Sequence, residues 1–229
     1  MRFLLPVGGI TDFRFGILTS PQHSFAGIPQ GITEGMDWAA DLGCEDGPEY
    51  VKRLDPDTAL PWLDSMLPYR ARCLFVTVPD VLENAMRTID AYWRWNQHFA
   101  GWPLAFVAQD GQERLAFPDN DWQVLFVGGS TDWKLGIGCE DVIQRAQALG
   151  KQIHIGRVNY WRRYAHFRRM LGSEEWTCDG TRIRFEGTHR AIAAWAGYMA
   201  QPPLHRFVSR GHYRRQSGNG LDGTVGDTD

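Results

Sequence analysis

The chain has 229 residues, of which 43% are hydrophobic and 22% are charged, and its formal net charge at pH 7 is −3. This composition is typical of a folded globular protein, and the length suits one large domain such as a single α/β barrel. No apolar run approaches the roughly 18 residues expected of a transmembrane helix, so no membrane partner is expected, and residues 1–6 are too short for a signal peptide.

The N-terminal half alternates short apolar strands with polar, helix-like segments. The predicted elements are strands at residues 2–5, 15–19 and 36–40, two short helices within 47–68, a strand at 73–78 and a helix over about 82–99. The first short helix is expected after Gly47. The second starts at Pro56, with Asp55 as its N-cap, because proline suits the first helical turn.

The C-terminal half continues the alternation. Its predicted elements are strands at residues 104–108 and 124–127, a helix at 140–149, a strand at 152–155, a helix at 160–171, a strand at 175–178 and a helix at 187–200. Gly150 is predicted to stop the first of these helices. From residue 216 onward the chain is rich in Ser, Gly, Asn, Asp and Thr, which predicts a disordered tail.

The seven or eight strand–helix alternations predict an α/β fold in which a parallel sheet closes into a single (β/α)8 barrel over residues 1–215. An open, doubly wound sheet is the alternative. The sequence has neither a GxGxxG motif that opens a helix nor a phosphate-loop lysine motif.

Charge and cysteine placement bear on partners and compartment. Residues 151–215 carry 13 Lys/Arg and 4 Asp/Glu, whereas residues 1–150 carry 11 and 20. The basic segment is either a set of solvated helix faces or a phosphate-binding surface. The four cysteines lie far apart without a CxxC pair, which argues against disulfides and a cysteine-rich zinc site and favours a cytoplasmic, reducing setting.

Polar residues stand where five predicted strands stop. In a parallel barrel these ends meet at one face, which is where ligands bind, although each residue alone is also typical of a helix cap or turn. The glycine pair would let a backbone approach a ligand closely. The set is Asp41, Asp80, Gln109, Gly128 with Gly129, and Asp179.

This set matches the chemistry of a purine base. The carboxylate of Asp80 can accept the N1–H and N2–H donors of guanine, while the carboxamide of Gln109 and the backbone N–H of Gly129 can hold O6. A second carboxylate near C1′ of a sugar can act as a nucleophile, and Asp179 is the candidate. Asp41 could move protons on the base.

Six segments resemble a known family in sequence and order: DLG (41–43), VPDV (78–81), VAQDG (107–111), FVGGSTDWKL (126–135), IHIGRVNYWRR (153–163) and CDGT (178–181). They look like the DpdA-type branch of the tRNA-guanine transglycosylase superfamily, which inserts 7-deazaguanines into DNA of phages and bacteria. The resemblance covers roughly residues 36–182. GGSTDWKL and GRVN…CDGT are its most specific blocks.

The resemblance implies a (β/α)8 barrel and a two-step base exchange without a cofactor. By motif match, Asp179 is the nucleophile that forms a covalent glycosyl-enzyme and Asp41 is the proton-transfer group. Asp80, Gln109, Gly128 and Gly129 match the base-recognition positions. The implied partners are DNA that carries a flipped or single-stranded guanine and a free base such as 7-cyano-7-deazaguanine; an oligomer is also compatible with the sequence.

The sequence departs from the family's tRNA enzymes after the nucleophile. Those enzymes carry a Cys₃His zinc site there, whereas no cysteine follows Cys178, so no metal and no zinc-binding subdomain are expected. Cys44 and Glu45 also differ from the small or aromatic residues expected after Asp41.

A second cluster follows the strand at 152–155. His154 is either a core histidine or part of the site, and Arg157 and Asn159 could hold a phosphate or sugar near the nucleophile. Trp133 is expected either to stack on a base or to pack at the rim. The nucleic-acid-binding prediction comprises Lys134, Arg157, Asn159, Arg162 and Arg163, with Arg168 and Arg169 on the same helix.

The sequence therefore predicts a pentosyltransferase that exchanges guanine for a 7-deazaguanine in DNA, with Asp179 as nucleophile. Three alternatives stay open: the same exchange on tRNA, a nucleoside or glycoside hydrolase, and a nucleic-acid-binding subunit whose barrel site has decayed.

Overall fold

The structure is a computed structural model that describes residues 1–6, 12–21, 27–46, 53–118, 121–172, 175–180 and 188–200. The strands within these residues are β1 (Arg2–Leu5), β2 (Gly16–Thr19), β3 (Trp38–Ala40), β4 (Cys44–Asp46), β5 (Cys73–Thr77), β6 (Asp80–Val81), β7 (Leu104–Ala108), β8 (Val124–Val127), β9 (Gln152–Ile155) and β10 (Trp176–Asp179). The α-helices are α1 (Gln30–Thr33), α2 (Pro56–Ser65), α3 (Ala85–Trp95), α4 (Thr131–Lys134), α5 (Ile137–Ala148), α6 (Trp161–Leu171) and α7 (Thr188–Ala200).

Eight of these strands close into a barrel in the order β1-β10-β9-β8-β7-β5-β3-β2. Each neighbouring pair is parallel, and β1 pairs with both β10 and β2, which closes the ring. The predicted (β/α)8-like barrel is therefore confirmed, and the alternative of an open, doubly wound sheet is wrong.

Side-chain alternation along the strands separates an inner core from an outer one. In β1, Leu4 packs inside the barrel with residues such as Phe75 and Val124, whereas Phe3 and Leu5 join the larger cluster that includes helix residues. Successive side chains of a strand point to opposite faces, so a strand covered on both sides reads as a continuous apolar run. This pattern puts every second strand residue on the barrel axis, where the site lies.

The predicted elements match the described ones to within a few residues, with some exceptions. Helix α5 begins at Ile137, before the predicted residue 140, because Gly136 takes the N-cap position and Glu140 falls in the first turn. Between β7 and β8, where no helix is predicted, the described residues contain a 3-10 helix at Gln112–Arg114. The predicted helix after Gly47 and the tail at 216–229 lie outside the described residues.

A small parallel sheet was not predicted from the sequence. It pairs β4 with β6 outside the barrel wall, with Cys44 opposite Asp80. These strands are too short and too polar to give a periodic signal. Their pairing matters because it brings the segment after β3 against the segment after β5, both of which carry predicted site residues.

Among the described helices, none has the length and apolarity that a membrane crossing would require.

The start of α2 provides a test of local stability. Asp55 accepts hydrogen bonds from the backbone N–H of Asp57 (3.2 Å) and the hydroxyl of Thr58 (2.5 Å). We expect Asp55→Ala to lower the free energy of unfolding by about 1 kcal/mol, measured by urea denaturation, because the first turn loses its cap. Asp55→Asn should keep most of the stability; an equal loss in both variants would contradict the capping role.

Candidate functional site

The predicted polar residues meet at the carboxyl end of the barrel. Asp41 follows β3, Gln109 follows β7, Gly128 and Gly129 follow β8, and Asp179 ends β10. Asp80 begins β6, three residues after β5 ends. Because the strands are parallel, these positions share one face. Three of the side chains are nearly inaccessible: Gln109 is 1%, Asp179 6% and Asp80 8% exposed.

The carboxylate of Asp179 is held through one oxygen. Oδ1 accepts a hydrogen bond from the backbone N–H of Arg157 (2.9 Å) and lies 3.3 Å from Nε2 of His154. Among the described residues, no hydrogen bond is made to Oδ2. Burial by itself raises the pKa of Asp179, but the bonds and charge of His154 and the Arg157 N–H outweigh it and bring the pKa below its ordinary value. Asp179 is thus an ionised carboxylate with one oxygen that the described residues leave without a hydrogen bond.

His154 is fixed below Asp179 inside the barrel. Its Nδ1 lies 2.8 Å from the hydroxyl of Thr177, and its ring contacts Phe126 and Phe75 with centroid distances of 4.5 and 4.8 Å. With Asp179 ionised, Nε2 must carry a hydrogen to bond Oδ1. His154 is therefore part of the site rather than a core histidine only. Thr177 was missed from the sequence, although it alternates with Asp179 on the inner face of β10.

Arg157 joins three strand ends. Its φ of 59° lies in the left-handed region, which is uncommon for a residue with a side chain, and this turn aims its N–H at Asp179. Its Nη2 donates to the carbonyl of Gly129 (2.9 Å), and its own carbonyl accepts from Nη1 of Arg163 (2.6 Å). The guanidinium is thus bound to the glycine turn, beside Asp179.

The environment of Asp80 raises its pKa, which is the opposite of the effect at Asp179. Burial and the nearby charge of Asp41 raise the pKa of Asp80 to about 6, although hydrogen bonds from Cys44 and Gln109 oppose the shift. Burial, together with Asp80 and Asp41, raises the pKa of the Cys44 thiol, so Cys44 acts as a donor. Cys44 was noted from sequence only as a departure from the family; the β4–β6 pairing makes it a partner of Asp80.

The carboxamide of Gln109 is oriented by its neighbours. Its oxygen accepts from the backbone N–H groups of Glu83 (2.9 Å) and Gly129 (2.9 Å), and its nitrogen donates to Asp80. A flipped amide would turn its NH₂ toward two donors, so the orientation is determined. A side chain on Gly128 would lie 2.6 Å from this nitrogen, which explains the glycine there.

The Gly129 N–H therefore points at Gln109, and not toward an open position where it would meet O6 of a base. Gly129 has a φ of 67°, and a Cβ there would lie 2.5 Å from the Trp133 ring and 2.7 Å from Asp110. A side chain at this position would disturb the turn itself. Trp133 packs at the rim, with its indole N–H bonded to Glu113 (2.9 Å).

The predicted nucleic-acid-binding residues differ in their exposure and in their hydrogen bonds. Arg162 is exposed at the start of α6, Arg163 bonds Thr131 (3.1 Å) and Arg157, and the N–H of Asn159 donates to the Arg157 carbonyl (2.9 Å). Lys134 differs from them, because it is 1% exposed and its ammonium donates to the carbonyl of Gly156 (2.9 Å).

The position of Lys134 does not suit the predicted phosphate contact, since a phosphate at the surface cannot reach a side chain covered by the wall of the barrel. Burial lowers the pKa of Lys134 to about 7, and Arg157 adds to the shift. The WKL sequence does not predict this burial, because a lysine close to a glycine turn is expected at the rim of the barrel.

Comparison of the chain with protein-family models, with curated proteins and with solved structures found no match in any of the three. Within the described residues, no three His, Cys, Asp or Glu side chains are grouped so that they could hold a metal ion.

The raised pKa of Asp80 predicts a pH-dependent stability. Between its ordinary value of about 3.9 and the folded value of about 6, the folded chain binds a proton that the unfolded chain does not, so the free energy of unfolding falls as the pH rises. We expect Asp80→Asn to flatten this fall, by at most about 1.4 kcal/mol per pH unit. Urea denaturation of both proteins from pH 4 to 7 measures the difference; identical pH dependence would contradict it.

Proposed function

We propose that the protein is a transglycosylase that exchanges guanine for a 7-deazaguanine base in DNA through a covalent aspartyl-glycosyl intermediate. The observation that carries the proposal is the state of Asp179: its pKa is lowered, its Oδ1 is held by two groups, and its Oδ2 makes no hydrogen bond within the described residues. A buried carboxylate held in this way is suited to nucleophilic attack on an anomeric carbon.

The first step breaks the bond between guanine and the sugar. Oδ2 of Asp179 attacks C1′ as the C1′–N9 bond breaks, and the bonding electron pair leaves with the base. A proton from Asp41 neutralises the departing guanine. The backbone N–H of Arg157 and His154 keep Oδ1 in place, so that the lone pair of Oδ2 points at the reacting carbon.

The second step reverses the first with another base. N9 of the incoming 7-deazaguanine attacks C1′ from the vacated side, gives its proton to Asp41, and releases the carboxylate of Asp179. Two inversions give net retention at C1′. The step needs no cofactor, because every electron pair and proton is accounted for by the two bases and two carboxyl groups.

Base recognition is assigned to Asp80 and Gln109. In its ionised form, Asp80 would accept the N1–H and N2–H donors that guanine and 7-deazaguanines share, while the carboxamide NH₂ of Gln109 would face O6. Gly128 gives Gln109 room and Gly129 holds its oxygen, so both glycines act through the amide. Recognition of this shared edge suits an exchange in which both bases use one pocket.

The decisive experiment follows guanine release. DNA or, in a parallel reaction, tRNA that contains labelled guanine is incubated with the protein and 7-cyano-7-deazaguanine, and free label and incorporated base are measured. We expect Asp179→Asn, which preserves side-chain shape, to lower the rate at least about a thousandfold, because the nucleophile is lost. Asp132→Asn, which alters an exposed carboxyl group on α4, is the matched control and should keep wild-type activity.

The outcomes separate the alternatives. Release without base incorporation would indicate a hydrolase, and release from labelled tRNA alone would indicate a tRNA enzyme. Either outcome would overturn the proposed exchange on DNA, as would an unchanged rate for Asp179→Asn. Absence of release from both polymers would favour a binding subunit with a decayed site.

The role of His154 predicts a shifted pH profile. The hydrogen bond and charge of His154 help to lower the pKa of Asp179, so His154→Phe should raise that pKa and move the acid limb of kcat/KM to higher pH. His154→Gln, which keeps an N–H donor, should shift the limb less. Profiles measured for the three proteins test this; a loss of activity without any shift would show that His154 only fills space.

A further inference from the structure

Two adjacent aromatic side chains extend into solvent where α6 begins. Tyr160 is 55% exposed and Trp161 is 42% exposed, and they occupy the N-cap and first position of the helix. The indole of Trp161 stacks on Tyr198 of α7, with ring centroids 5.4 Å apart and an interplanar angle of 27°. This contact supports one face of the indole and fixes its orientation, while a large part of its surface remains accessible.

The pair is attached to the candidate site by a short and well-bonded segment. Tyr160 lies three residues after Arg157, whose N–H holds Asp179. Arg163, on the first turn of α6, donates to the Arg157 carbonyl (2.6 Å) and to the Thr131 hydroxyl (3.1 Å). The aromatic side chains therefore follow directly after the turn whose backbone N–H binds Asp179.

The surroundings of the pair are basic. Arg162 is exposed next to Trp161, and the first turn of α6 has no acidic residue. The guanidinium of Arg163 donates to the Arg157 carbonyl and the Thr131 hydroxyl, and burial, followed by the nearby charge of Arg157, lowers the pKa of Arg163. Exposed aromatic rings beside arginines match a ligand with π-faces and phosphates.

We infer that Tyr160 and Trp161 form a stacking platform for bases that flank the target nucleotide in single-stranded DNA, with Arg162 and Arg163 binding the adjoining phosphates. The inference rests on the proposed function, because it requires that the site accepts a nucleic acid. Stacking on aromatic side chains is tolerant of sequence because every base has a π-face, and a basic groove supplies the remaining affinity. The platform would hold the strand while the target base enters the barrel.

The test separates base stacking from charge. A fluorescein-labelled thymidine oligonucleotide, which contains no guanine to react, is compared by anisotropy with an abasic oligomer of equal length and charge. We expect the wild type to bind the thymidine strand at least about fivefold more tightly, and Trp161→Ala to lose this preference. Arg162→Gln should weaken both probes equally and reduce the salt dependence of binding by about 0.7 in the log–log slope.

Trp93→Ala is the matched control. Trp93 is 45% exposed on α3, close to the 42% of Trp161, and its ring meets that of Tyr92 edge-on with centroids 5.7 Å apart. Its neighbour Arg94 is already paired with Glu45. This variant should bind like the wild type, and Trp161→Phe should keep most of the preference for the base-bearing strand.

Two results would overturn the platform: equal binding of the two probes by the wild type, or equal behaviour of Trp161→Ala and Trp93→Ala. The first would also result if the aromatic pair served a protein partner. If the preference for bases is present but labelled guanine is never released, the platform stands and the proposed exchange falls. If guanine is released without any such preference, the exchange stands and the platform falls.

Discussion

The arrangement of the site depends on the hydrogen bond from the backbone N–H of Arg157 to Oδ1 of Asp179. A left-handed turn directly after Gly156, at the end of β9, is needed to aim this N–H across to β10. The same turn lets the Arg157 guanidinium donate to the Gly129 carbonyl, and it lets the Arg157 carbonyl accept a hydrogen bond from Arg163. One backbone conformation thus couples Asp179, the glycine turn and the basic start of α6.

The two buried carboxyl groups, Asp179 and Asp80, have pKa values that their environments shift in opposite directions. Donors from His154 and Arg157 lower the pKa of Asp179, whereas burial and Asp41 raise the pKa of Asp80. The surroundings of Asp179 thus favour its ionised form, and those of Asp80 favour its protonated form. Divergent pKa values of this kind are typical of assigned acid–base roles in active sites.

Gln109 links Asp80 to the glycine turn. It receives backbone N–H groups from the segments after β6 and β8 and returns a donor to Asp80, so its geometry follows from three neighbouring strand ends. The glycines next to it serve this bond: Gly128 by leaving space and Gly129 by donating. The sequence suggests that the glycine pair contacts a ligand directly. In the structure the pair instead acts indirectly, by holding the Gln109 amide in a fixed orientation.

The sequence by itself determined the parallel barrel, the positions of the barrel strands to within a few residues, and the polar residues at their ends, because apolar runs and capping residues are local signals. It did not reveal the β4–β6 pairing, the contact of Cys44 with Asp80, the burial of Lys134 or the support of Asp179 by Thr177 through His154. These were decided only by the tertiary structure, since each contact joins residues far apart in the chain, and burial and pKa depend on everything that closes around a side chain.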